Sequence, residues 1–163
     1  MDKNLLKYLL SFFLVAFSAS AAWAQVTTCN GSSVSLNLGS YPSYSAVNVD
    51  SSGTFTVTCR RDGGRRDTPV TVGLGTSLNS GSIANRQVKL VGGSDLLSYN
   101  LYRDATRLAV WGNTNGVDAV TQTISLANRT SGTLTFNIFS RINALQDVRA
   151  GSYNDSLTVT VTF

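Results

Sequence analysis

Histidine is absent from the 163-residue chain, and so is glutamate, so that all nine acidic side chains are aspartates. Losing histidine removes the commonest general base, the usual partner of a nucleophilic Ser or Cys, and the commonest transition-metal ligand. The aspartates are scattered, mostly in Gly, Asn and Ser contexts where Asp serves turns, and none shows calcium-loop spacing. No catalytic, cofactor-binding or metal-binding constellation is present, and the chain reads as a non-enzyme. A glycosidase-like pair of aspartates meeting from distant parts of the chain is the one enzymatic arrangement left open. Helical spacing of apolar residues is also missing, as are internal repeats, low-complexity tracts and any proline-rich linker, with two prolines in all. Nothing suggests a second module.

Long hydrophobic runs are missing too. The one strongly apolar stretch, Tyr8 to Phe17, is about half of the roughly twenty residues that a membrane span needs. It follows Lys3 and Lys7 and precedes Ala22-Trp23-Ala24, which satisfies the small-x-small rule for cleavage. Met1 to Ala24 therefore reads as a removable signal peptide, and Gln25 to Phe163 as one exported domain without a stable span. Thirteen basic and nine acidic residues fall to eleven and eight when Asp2, Lys3 and Lys7 leave with the signal. An excess of about three positive charges is too mild to argue for nucleic acid.

Only two cysteines exist, Cys29 and Cys59, and both lie in the exported part, where disulfides form and persist. They are expected to pair, two free buried thiols being the alternative.

From Val34 onward, apolar and hydroxyl-bearing residues alternate with the period of strands that lay one face on a core. The clearest segments are Val34 to Leu38, Phe55 to Cys59, Val70 to Leu74 and Leu134 to Ile138. Less regular strands are expected at Gln87 to Val91, Ser98 to Arg103 and Val120 to Leu126, with Gly and Asn clusters between them as turns. Cys59 falls in phase with Phe55 and Val57, which points its sulfur into the core. About eight short strands in a chain of this size favour a two-sheet sandwich over an open sheet, with a small barrel as the runner-up.

The last segment alternates without a fault. Leu157, Val159, Val161 and Phe163 face one way, and Ser156, Thr158, Thr160 and Thr162 the other. Edge strands are normally blunted by Lys, Pro or a bulge, and the sequence offers none of these here. The only charge cluster is Arg60-Arg61-Asp62-Gly63-Gly64-Arg65-Arg66-Asp67, whose glycines mark an exposed turn. Arg60, Arg61, Arg65 and Arg66 could grip phosphate, an acidic polysaccharide or another anionic surface, or form a solvated loop tip neutralised by Asp62 and Asp67.

The order of features carries a resemblance. A cysteine follows the signal, then come Leu38-Gly39-Ser40-Tyr41, a second cysteine ending a strand, Tyr99-Asn100-Leu101-Tyr102-Arg103-Asp104, Trp111-Gly112, and Ala150-Gly151-Ser152-Tyr153-Asn154-Asp155 leading into the last strand. Across essentially the whole exported part this resembles the spore coat protein U domain family, which includes subunits of archaic, Csu-type chaperone–usher pili. The resemblance implies an immunoglobulin-like sandwich lacking one strand. A periplasmic chaperone would insert its own strand, later exchanged for one from a neighbouring subunit, with an outer-membrane usher and other pilus subunits as further partners. It implies transit through the periplasm to a cell-surface pilus. It also implies that Leu157, Val159, Val161 and Phe163 line the acceptor groove, the Phe163 carboxylate being held by the chaperone. Tyr99, Tyr102, Trp111 and Tyr153 are expected as core aromatics.

The chain departs from the family's polymerising subunits in one respect. Only Gln25, Val26, Thr27 and Thr28 separate the cleavage site from the first cysteine, too few to cross a sheet at about 3.3 Å per residue. The expectation is a subunit that accepts a strand but does not donate one, placed at a fibre tip or as a minor subunit. A tip adhesin binding a surface or glycan, and a spore or cyst coat protein, are the alternatives.

Overall fold

Alternating residues become strands when one face finds a core, and in the computed structural model nearly all of them do. It describes residues 26–32, 36–43 and 45–163. The expected signal segment and the start of the expected strand at Val34 and Ser35 lie outside these.

Among the described residues nine strands follow in chain order: β1 (Val26–Gly31), β2 (Val49–Asp62), β3 (Arg66–Ser77), β4 (Arg86–Leu90), β5 (Leu96–Tyr102), β6 (Val120–Leu126), β7 (Thr130–Ile142), β8 (Tyr153–Asn154) and β9 (Leu157–Thr162). They form two sheets, one ordered β1-β2-β7-β5-β4-β8 and the other β6-β3-β9. Every pairing is antiparallel. The architecture is an all-β, immunoglobulin-like sandwich, and the barrel alternative falls because the sheets stay separate.

The inner faces supply the core. Phe55, Val57 and Cys59 of β2, Val70, Val72 and Leu74 of β3, and Phe136 and Ile138 of β7 are all buried. Trp111 closes the layer, with its ring 6.3 Å from that of Phe136, and its indole Nε1 donates to the Val72 carbonyl at 2.9 Å. Each apolar side chain so buried contributes about 1.5–3 kcal/mol of transfer free energy. Both the link from β2 to β3 and the link from β6 to β7 cross between the sheets, and both lie at the same end of the sandwich.

Cys29 and Cys59 form a disulfide between directly paired residues of β1 and β2, with their Cα atoms 4.0 Å apart. Cys59 is fully buried, as its phase in the strand predicts.

The expected strand at Val34 to Leu38 is corrected over its described part. Leu36 and Leu38 pack against the core, but residues 36–38 join no ladder. The Asn37 carbonyl accepts instead from Ser51 Oγ at 2.8 Å, and Asn37 Oδ1 caps the Gly39 amide at 2.9 Å. Alternation reports which side chains are buried, and here burial is achieved without backbone pairing.

Candidate functional site

The last strand occupies an edge. β9 pairs with β3 alone, through Thr162–Thr71, Val161–Val72, Thr160–Gly73, Val159–Leu74 and Leu157–Ser77, so its opposite edge has no ladder among the described residues. A register shift does occur between Leu74 and Ser77. It belongs to the paired side of β9, and it leaves the free edge without a blunting bulge, Lys or Pro.

Beside that free edge lies a groove of about 1040 Å³. Leu157 and Val159 line it from β9, Leu36, Leu38 and Tyr41 from the unpaired segment, and Leu74, Val88, Leu97, Leu101 and Ile138 from the two sheets. The last five are buried core residues and form the floor of the groove. Val161 packs half-buried against the core and Phe163 stands 51% exposed, so neither is among the groove-lining residues.

The wall formed by residues 36–43 is tied down by side chains. Tyr41 Oη accepts the Gln146 amide at 2.7 Å, and Ser43 Oγ donates to the Val148 carbonyl at 2.9 Å. Gln146 in turn receives the Ser98 amide at its Oε1, 2.7 Å away, and donates Nε2 to the Ser98 carbonyl at 2.9 Å. A wall held at a few points leaves most of its backbone polar groups outside any ladder.

The two tyrosine-containing motifs meet at the groove floor. Tyr99 is buried on β5, and its Oη donates to Asp155 Oδ2 at 2.8 Å, while Asn79 Nδ2 donates to Asp155 Oδ1 at 3.1 Å. Burial first, and then the Asp155 carboxylate, push the Tyr99 hydroxyl far above its usual range, so it remains a proton donor throughout. Tyr102 and Tyr153 are half-buried, whereas Trp111 is fully enclosed. Asp104, which ends the first motif, organises the following loop: it accepts the Ala109 amide at 2.8 Å, the Leu108 amide at 3.2 Å and the Thr106 hydroxyl.

Sequence reasoning missed Arg86. It is fully buried at the start of β4 and reaches across to the other sheet. Nη2 donates to the carbonyls of Leu74, Gly75 and Trp111 at 2.9, 2.9 and 2.8 Å, and Nη1 to Asn100 Oδ1 at 2.7 Å. Its signal was available, since Arg86 shares the inward parity of Val88.

The arginine turn is divided. Arg60, Arg65 and Arg66 are exposed, but Arg61 is 2% exposed and turns inward, donating to the Gly64 carbonyl and, at 2.8 Å, to Thr27 Oγ1. Arg61 follows the inward phase of Phe55, Val57 and Cys59, so it holds the turn from beneath and is not part of the exposed group. Among the described residues no cluster of three or more His, Cys, Asp or Glu could hold a metal ion, and no helix is long and apolar enough to cross a membrane.

A model of the Spore Coat Protein U domain matches residues 14–160. Protein U of Myxococcus xanthus is 33% identical over 136 residues, covering 78% of this chain and 71% of its own. Among solved structures, the pre-assembly complex of chaperone and tip adhesion subunit from the archaic chaperone–usher Csu pili of Acinetobacter baumannii aligns with a TM-score of 0.49 at 23% identity. That alignment covers 85% of this chain and 40% of that one, so the present chain spans less than half of its length. The minor tip subunit of the E. coli Hda pilus aligns with a TM-score of 0.33 at 15% identity, covering 83% and 79%.

Proposed function

The chain belongs to the Spore Coat Protein U domain family, and from that membership and the open edge of β9 we propose that it is an exported structural subunit of a chaperone–usher pilus, completed by a strand from another chain. The observation that carries this reading is the groove of about 1040 Å³ beside an unblunted edge strand. A strand laid there would pair with β9 and make the three-stranded sheet four-stranded, while its alternate side chains entered the groove. Four or five inserted apolar side chains at about 1.5–3 kcal/mol each make release slow and exchange effectively one-way. Leu157 and Val159 flank the inserted strand. Val161 and Phe163 continue the same face along the strand. The periplasmic chaperone supplies the strand first and the usher oversees its exchange for one from another subunit.

The position in the fibre is terminal. Residues 26–31 are engaged as β1 over six paired positions with β2 and locked there by the Cys29–Cys59 disulfide, so they are committed to their own sheet. With cleavage after Ala24, only Gln25 precedes them, and the subunit receives a strand without giving one.

The test is to purify Gln25 to Phe163 alone and with the cognate chaperone. The complex should be soluble and protease-resistant, and the lone subunit should be degraded or aggregated. A stable, protease-resistant monomer would count against strand acceptance. Fusing a donor segment ahead of Gln25 should convert the terminal subunit into one that polymerises, and failure of the parent chain to cap growing fibres would remove the terminal assignment.

A further inference from the structure

Setting aside the signal segment, the chain's positive excess is confined to one end of the sandwich. Arg60, Arg61, Arg65 and Arg66 come from the β2–β3 crossing, and the fold adds Arg129 from the β6–β7 crossing. The Arg129 amide donates to the Arg61 carbonyl at 2.8 Å, and Asn128 Oδ1 accepts the Gly63 amide at 2.9 Å, so the two crossings are fastened together. Against these five arginines stand Asp62 and Asp67, an excess of three. Through the rest of the exported chain six basic side chains balance six aspartates.

The five arginines are unequally engaged. Arg60 contacts Asp62 at 3.4 Å, and Arg61 is buried. Arg65 reaches Ser125 Oγ at 3.3 Å, a neutral partner. Arg65, Arg66 and Arg129 are exposed and have no carboxylate within ion-pair distance among the described residues. Elsewhere Arg141 and Arg107 share Asp50 and Arg149 holds Asp95, while Arg86 is buried and Arg103 donates to the Val117 carbonyl at 3.0 Å, so this end alone gathers several exposed arginines without a carboxylate.

We propose that this end of the molecule binds an anionic polysaccharide through Arg65, Arg66 and Arg129, each guanidinium facing a carboxylate of the repeating sugar acid. A planar guanidinium accepts a carboxylate in a two-bonded fork that an ammonium cannot reproduce. A polymer of regularly spaced carboxylates suits several forks carried on two fastened loops. Nucleic acid fits less well, because neither crossing carries an aromatic ring on which a base could stack. A lipid surface fits less well because, beside the two crossings, Val26, which pairs with Asp62, is a single short apolar side chain, whereas the exposed leucines that could anchor in a bilayer, Leu78, Leu108 and Leu145, stand on other loops. The site lies on the two sheet-crossing loops and not on the groove, so the proposal stands apart from strand acceptance.

Polygalacturonate immobilised beside neutral dextran tests it, using the exported chain in whichever soluble form it is recovered, alone or with chaperone. Wild-type protein should bind polygalacturonate over dextran. Binding should weaken as ionic strength rises from about 0.01 M, where the screening length is about 30 Å, to about 0.15 M, where it is about 8 Å. The triple variant Arg65→Ser, Arg66→Ser, Arg129→Ser should bind about tenfold or more weakly. A variant of equal charge change, Lys89→Ser, Arg103→Ser, Arg149→Ser, should bind as wild type does. Equal loss in both variants would reduce the effect to net charge and overturn the site. Retention without salt dependence, no preference over dextran, or tighter binding to duplex DNA or phosphatidylglycerol vesicles would overturn the ligand. The salt series needs no variant, so a misfolded triple mutant leaves the proposal exposed to refutation.

Discussion

Arg86 carries a guanidinium into the interior without a carboxylate at ion-pair distance among the described residues, and it does so to satisfy carbonyls. β3 shifts register between Leu74 and Ser77, which frees the Leu74 and Gly75 carbonyls from a regular ladder and turns them toward the interior. Burial lowers the Arg86 pKa, but the group starts so high that it stays charged at ordinary pH. Replacing it with methionine would remove the guanidinium from those two carbonyls and from that of Trp111, while Asn100 Oδ1 would keep the Leu101 amide at 2.8 Å. At about 1–3 kcal/mol for each buried group left unpaired, a loss of about 3 kcal/mol or more is expected, read as a shift in denaturant midpoint. Arg86→Lys should recover only part of it, since one ammonium cannot reach acceptors arranged for a fork. A methionine variant as stable as wild type would show the network to be dispensable.

The exposed loop after β5 has its own acid sensitivity. Hydrogen bonds from the Thr106 hydroxyl and from the Ala109 amide hold Asp104 at about 2, below the usual Asp value of about 3.9. The folded loop therefore binds its proton less readily than the unfolded chain does. The resulting stabilisation is present above about pH 4 and is lost as pH falls toward 2. Asp50 and Asp95 are lowered in the same direction by Arg141 and Arg149, and they add to the same acid window. Asp104→Asn should flatten the stability profile between about pH 4 and 2 and leave the slope above pH 6 unchanged, as followed by thermal melts across the range.

At the scale of elements, the disulfide and β1 belong together. β1 forms an edge of the larger sheet and has little apolar alternation of its own, Val26-Thr27-Thr28-Cys29-Asn30-Gly31, with most of its residues exposed. Its attachment rests on the ladder to β2 and on the bond from Cys29 to Cys59, which closes a loop of 30 residues. Cys29→Ser with Cys59→Ser should cost about 3–4 kcal/mol. Hydrogen exchange should report β1 amides opening before those of β2 and β7; protection of β1 unchanged in the double variant would mean the ladder alone suffices. The weak alternation also explains why β1 was not legible beforehand, while β2, β3, β6, β7 and β9 were. A strand that buries one face announces itself in period two, and β6 matches the expected span Val120 to Leu126 throughout. β8, two residues long, is too short to show a period. The segment at Leu36 and Leu38 misled in the opposite sense, since its period is real but its backbone is unpaired. Arg61 and Arg86 obeyed the inward parity of their strands, although charge argued for the surface. What the sequence could not supply was distance: that Tyr99 meets Asp155, or that Arg129 joins the arginine turn.

For the whole molecule, these features converge on a sandwich whose two sheets are unequal. Among the described residues the larger has six strands and the smaller three, and the groove lies beside the unpaired edge of β9, with core residues as its floor. An added strand should therefore stabilise the molecule as a unit and not merely one edge. Appending a short turn and an alternating Val-Thr strand after Phe163 would let the chain fold back antiparallel along β9 and fill the groove itself. The appended strand becomes intramolecular, so its effective concentration is of millimolar order and no second chain is needed to supply it. The expected product is a soluble monomer with a higher thermal midpoint and greater protease resistance than the parent chain. An otherwise identical tail with Lys at each inward position should confer neither property, because a charged side chain cannot be left unpaired among Leu74, Val88 and Ile138. If both tails stabilise equally, contact at the edge and not filling of the groove is responsible; if the apolar tail leaves the chain as protease-sensitive as before, the open side of the sandwich is not where it is incomplete.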